Sequence, residues 1–187
     1  MSHPFENLTP NQRKSLFLIS FTASLFLIVV LSLIGRPLIT EVAIYGIVSF
    51  EFSGDAESAA AIIDSWDQAA RLSAALSLGL DYMFILAYST AISLACLWTA
   101  DVTRDYGWPL THLGSVLAWG QWAAGILDAI ENLGLILILI YGVGKPWPEL
   151  ASFTALIKFI LVFCGLSYAF YGLVVSLIVR MSEMKER

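Results

Sequence analysis

From Ser15 to Ile34 the chain runs through 20 residues without a charge, and three further long apolar stretches follow it. A helix of about 20 residues spans the roughly 30 Å of a bilayer's hydrocarbon core. In that solvent backbone N–H and C=O groups are satisfied only within helices or closed barrels. Composition points the same way. Hydrophobic residues make up 58% of the 187 residues and charged residues 13%, far from the balance of a soluble domain. The expected fold is an all-α integral membrane protein, a bundle of four transmembrane helices in a single domain. A net charge of −5 leaves no basic surface for nucleic acid, so that class of partner is set aside.

The helix boundaries follow from caps and breakers. Thr9-Pro10-Asn11-Gln12 reads as a capping box with proline at the first helical position. The first span, about residues 12–34, then stops at Gly35-Arg36-Pro37. It is longer than a secretory h-region and no small-x-small pattern follows closely, so it is expected to stay in the mature protein. The second span covers about 72–100. Pro109 is expected to open a third, about 109–141, and the turn 142–148 leads to a fourth, about 150–179. A charged tail, 180–187, follows.

The segment 38–68 is too polar for a span and too long for an unstructured loop. It carries Glu41, Glu51, Asp55, Glu57, Asp64 and Asp67 and, with Arg36 and Arg71, a net charge of about −4. Its apolar residues recur at helical spacing, with Ala59, Ile62, Ile63 and Trp66 on one face. A short amphipathic helical cap over one end of the bundle is expected. Lysine and arginine counts orient the whole: Arg13, Lys14, Arg104, Arg180, Lys185 and Arg187 fall on one side, Arg36, Arg71 and Lys145 on the other. Both termini are therefore expected on the cytoplasmic side of a plasma or inner membrane.

Ionisable groups inside spans are costly and usually face the bundle interior, so they mark the place to look for a site. Asp81, Asp128, Glu131 and Lys158 qualify. Counted from the cytoplasmic helix ends at 1.5 Å per residue, the charges on helices two, three and four reach one level, toward the outer side. On the third helix Gly114, Ala118, Gln121, Gly125, Asp128 and Asn132 form one stripe, with Glu131 beside it. On the second helix Ser77, Asp81 and Tyr88 share a face. On the fourth, Lys158 aligns with Gly165, Ala169, Gly172 and Ser176, a seam of small residues suited to close helix packing. Either the helices are tilted and the cluster is submerged, or the amphipathic cap covers the apolar run Leu133–Ile140 beyond it.

Two chemistries fit these residues. A lysine among carboxylates serves as a structural ion-pair network. Alternatively Asp81, Asp128, Glu131 and Asn132, with Lys158, Gln121 and Tyr88 nearby, form an oxygen-rich pocket for a proton, a polar ligand or a hard cation. Asp128, Glu131 and Asp81 would be the ligands of any metal. Haem, zinc and nucleotide signatures are missing: His3 and His112 are far apart, Cys96 and Cys164 lie in apolar runs, and no phosphate-binding glycine loop occurs. The aromatic residues Tyr82, Trp119, Trp122, Tyr168 and Tyr171 fit packing and interface roles better than a ligand slot. Three function classes remain. The first is an accessory or interaction subunit, with membrane lipids, a partner subunit or further copies of the chain as partners. The others are a proton- or cation-linked transporter and a lipid-modifying membrane enzyme.

Overall fold

The computed structural model describes residues 3–185, which are helical with no strand among them. A short 3-10 turn, Pro4–Asn7, precedes α1 (Pro10–Ile34), and a second, Arg36–Leu38, follows it. Two short helices come next, α2 (Ile47–Glu51) and α3 (Ala56–Asp64), and then three long ones, α4 (Gln68–Asp105), α5 (Leu113–Tyr141) and α6 (Trp147–Lys185). Helices α1, α4, α5 and α6 are long and apolar enough to cross a membrane.

Local chemistry explains most of the boundaries. At the start of α1 the Gln12 N–H donates to Thr9 Oγ1 over 3.3 Å, and Gln12 Oε1 accepts the Thr9 N–H at 2.9 Å. Asp55 accepts the Ser58 N–H and Asp67 the Ala70 N–H, each at 2.8 Å, so two carboxylates of the acidic segment are helix caps. Arg71 closes the far end of α3 by donating to the carbonyls of Trp66 and Ile63 at 3.1 and 2.9 Å.

Three boundaries differ from the sequence reading. Helix α4 begins at Gln68, on the Asp67 cap, and runs on to Asp105. Pro109 does not open α5: Leu110 takes a left-handed φ of 69°, which breaks the helix until Leu113. Tyr168 and Tyr171 of α6 hold that break, their hydroxyls donating to the carbonyls of Leu110 and Pro109 at 3.0 and 3.1 Å. Helix α6 continues through the segment read as a tail as far as Lys185, while Glu186 and Arg187 lie outside the described residues.

Helices α4, α5 and α6 all pack on one another, whereas α1 packs along α4 and barely meets the other two. The arrangement is thus a three-helix core with α1 laid against its outer side, a more uneven one than four equal helices. Only Ser20, Ser24 and Leu27 of α1 are buried, a single stripe at helical spacing. Two apolar clusters lie at different levels. Near the Arg13 end, Cys96, Leu97, Ala118 and Tyr168 pack together. At the opposite end Leu38, Ala43, Phe50, Ala59, Ile62 and Trp66 of the 38–66 segment pack onto Ala70, Ala74 and Leu78 of α4, Leu135 and Ile138 of α5, and Ala151 of α6. The amphipathic segment is therefore a cap that covers the apolar end of α5.

Both cysteines are free: Cys96 is buried, its thiol 3.6 Å from the Gly165 carbonyl, and Cys164 is exposed. Small residues set the helix spacing. A Cβ at Gly165 meets the Gln121 amide, and one at Gly172 meets the Thr99 side chain. The buried seam of α6 runs through Lys158, Gly165, Tyr168, Gly172 and Val175, so two large residues stand where Ala169 and Ser176 were expected. Gly172→Val is expected to cost about 1–3 kcal/mol through overpacking against α4. Gly120→Ala, whose Cβ meets only a Leu161 methyl at 3.7 Å, should leave stability unchanged or slightly raised. Thermal unfolding of the two variants in detergent checks the contrast.

Candidate functional site

The site lies just below the cap, and its centre is the Lys158 ammonium. Lys158 sits 11 residues after Trp147, about three turns into α6, too deep in the helix to snorkel from its first turn. Its side chain is buried between α5 and the cap. The ammonium donates to Asp128 Oδ1 at 2.7 Å and to Glu131 Oε1 at 2.9 Å, with Glu131 Oε2 equally close. Asp128 and Glu131 stand at i and i+3 on α5, so one face presents both carboxylates to the same cation.

Tyr88, reaching from α4, donates its hydroxyl to the other Asp128 oxygen at 2.9 Å. Asp81 and Asn132 form an adjoining pair, the Asn132 amide donating to Asp81 Oδ2 at 2.6 Å. Neither is within ion-pair distance of Lys158. Gln121 stands apart: its amide donates to the Leu161 carbonyl at 2.9 Å, two turns along α5 from Asp128, and ties α5 to α6. Of the sequence-selected residues, the structure thus brings Asp128, Glu131, Lys158 and Tyr88 into one network. Asp81 and Asn132 sit beside it and Gln121 away from it.

Glu51, from the cap, completes the ring and was not selected from the sequence. Its Oε2 lies 3.6 Å from Lys158 Nζ and its side chain is 11% exposed. Its position is anchored through the backbone: Ser152 of α6 donates its hydroxyl to the Glu51 carbonyl and accepts the Gly54 N–H, both at 2.8 Å. Phe52 stacks on Phe159 with ring centroids 5.7 Å apart. A signal was present, since Glu51 is a single acid flanked by Phe50 and Phe52 at the end of an apolar run. Such a carboxylate is poorly placed for a solvated face.

The electrostatics are unbalanced by design of the residues themselves. Three carboxyl groups surround one ammonium, and Glu51 Oε2, 3.6 Å from it, is buried without a hydrogen bond. Burial pushes the Glu51 carboxyl above its ordinary value of 4.5, with Lys158 opposing the rise and Asp128 adding to it. Among the described residues no three His, Cys, Asp or Glu side chains are grouped to hold a metal ion. The Lys158 ammonium sits between Asp128 and Glu131, two of the carboxylates that the sequence offered to a hard cation.

The aromatic residues do not share one slot. Trp119 and Trp122 pack around His3 of the N-terminal turn, each with ring centroids 5.0 Å from the imidazole, and Tyr82 donates to the Ala129 carbonyl at 3.2 Å. Comparison of the chain with protein-family models, with curated proteins and with solved structures returns no match.

Lys158→Met is expected to destabilise the fold by about 3–5 kcal/mol, because it strands buried carboxylates without a counter-charge. Adding Asp128→Asn and Glu131→Gln to it should recover a large part of the loss. Denaturant unfolding of the single and triple variants measures the difference, and an equally unstable triple variant would contradict the ion-pair account.

The cap should respond to pH through Glu51. A carboxyl raised above its unfolded value stabilises the docked state fully below pH 4.5. That contribution declines as pH rises toward the docked-state value. Hydrogen exchange across Ile47–Asp64, corrected for intrinsic rates, should show α2 and α3 loosening with rising pH in the wild type and not in Glu51→Gln.

Proposed function

We propose that the chain is an integral membrane protein of the plasma or inner membrane, and that it acts by association, as an accessory subunit of a membrane assembly. One observation carries this reading: the buried charges are spent on one another. Lys158 is held by Asp128, Glu131 and Glu51 within 2.7–3.6 Å, which closes the cluster and locks α5, α6 and the cap in register. The surface left to do work is the apolar exterior. Helix α1 in particular turns Ile19, Phe26, Val29 and Leu33 outward, each more than half exposed. Arg13, Lys14, Arg104 and Arg180 belong to the helix ends that meet opposite the cap, which supports cytoplasmic termini.

A proton-linked role is the second reading, and the buried Glu51 oxygen left without a hydrogen bond favours it, because a proton shared with Glu131 would satisfy it. Native mass spectrometry after extraction in mild detergent separates the two. The subunit reading expects a stoichiometric partner that Phe26→Ala with Val29→Ala releases while the fold is kept; a monodisperse 20.5 kDa chain counts against it. The proton reading expects flux in liposomes that Glu131→Gln abolishes. Equal flux in wild type and variant removes that idea.

A further inference from the structure

Away from the cap, at the Arg13 end of α1, a cleft of about 670 Å³ lies between α1 and α4. Its lining is graded along the helix axes. Arg13, Lys14 and Asp101 stand near the end with Leu8 and Pro10 beside them, Trp98, Phe17 and Leu18 about one turn further in, and Leu94 about two turns in. The order of charge, indole and hydrocarbon matches the headgroup, interface and acyl region of a leaflet.

The charges at the mouth favour an anion. Asp101 accepts from Arg13 at 3.0 Å and from Arg104 at 3.1 Å, so its own charge is doubly matched. Lys14 makes no ion pair or hydrogen bond among the described residues. Arg13 gives one nitrogen to Asp101 and another to the Glu6 carbonyl at 2.6 Å, and its side chain remains 25% exposed. Glu6, in the adjoining polar recess, accepts from Ser115 at 2.8 Å. Burial alone would raise the Glu6 carboxyl, but hydrogen bonds from the His3 backbone and Ser115, and the charge of Arg13, bring it below its ordinary value.

We propose that this cleft holds one anionic phospholipid of the cytoplasmic leaflet, its phosphate on Lys14 and Arg13 and an acyl chain along Phe17, Leu18 and Leu94. The site exists because α1 rests mainly on α4: a helix packed on three sides would leave no lateral opening. The proposal rests on the membrane placement given above, and not on the subunit reading.

The test uses the full chain in nanodiscs containing phosphatidylglycerol and phosphatidylcholine with identical acyl chains, followed by native mass spectrometry of retained lipid. Wild type is expected to retain phosphatidylglycerol preferentially. Lys14→Gln should lower that retention about fivefold, the factor that corresponds to about 1 kcal/mol for one lysine at an anionic surface. Leu18→Trp, at a half-exposed position, should narrow the cleft and lower lipid retention with the fold unchanged by circular dichroism. Equal retention of the two lipids overturns the proposal, as does a Lys14→Gln variant that retains lipid like wild type. Competition by inorganic phosphate alone, or exclusion of lipid by a protein partner seated in the cleft, overturns it as well. A retained partner with no lipid selectivity sinks the cleft and leaves the subunit reading standing, while failure to enter nanodiscs removes the placement that both require.

Discussion

An ammonium group in an apolar interior is tolerated only where carboxylates compensate for the water it has lost, and the rest of this structure depends on how that is done at Lys158. The compensating groups come from two elements besides its own. Asp128 and Glu131 arrive on one face of α5, and Glu51 arrives on a cap that has no other reason to place a carboxylate indoors. A shift of one helix past another by a single turn would part these groups, so the ion pairs select one register that apolar packing alone would leave open.

The two apolar clusters work around that centre. The upper one covers the C-terminal half of α5 with the 38–66 segment, and so shelters the charges from solvent at that end. At the other end Tyr168 and Tyr171 of α6 hold the broken start of α5, and Arg13 ties α1 to α4 through Asp101. Helix α1 joins this system of cross-ties only at its Arg13 end. Its meeting face is two serines and a leucine, while its remaining surface is apolar and faces outward. That asymmetry underlies both proposals: it leaves an apolar face of α1 exposed and a cleft beside its charged end.

Much of the candidate site was legible because an α-helix converts spacing into facing. The stripe from Gly114 to Asn132 is buried along its length, and Tyr88 and Asp128 do meet across two helices. Helical periodicity, however, ranks residues only within one helix. It could not tell that Gln121, on the same stripe as Asp128, would bond to the Leu161 carbonyl, or that Asp81 would pair with Asn132 instead of with Lys158. Glu51 escaped for a related reason: it lies on a helix of five residues, too short for periodicity to assign a buried face.

The sequence by itself determined four long apolar helices, the capping box at Thr9, an amphipathic segment between the first two, and a set of charges brought to one level. Each of those follows from local chemistry, from run length or from the rise and period of the helix. Only the tertiary structure decided that α1 stands aside from a three-helix core, that the cap lies directly over the charges, and that its one buried carboxylate faces Lys158. Those outcomes depend on contacts between residues up to 107 positions apart, as Glu51 and Lys158 are, and no local pattern carries that information.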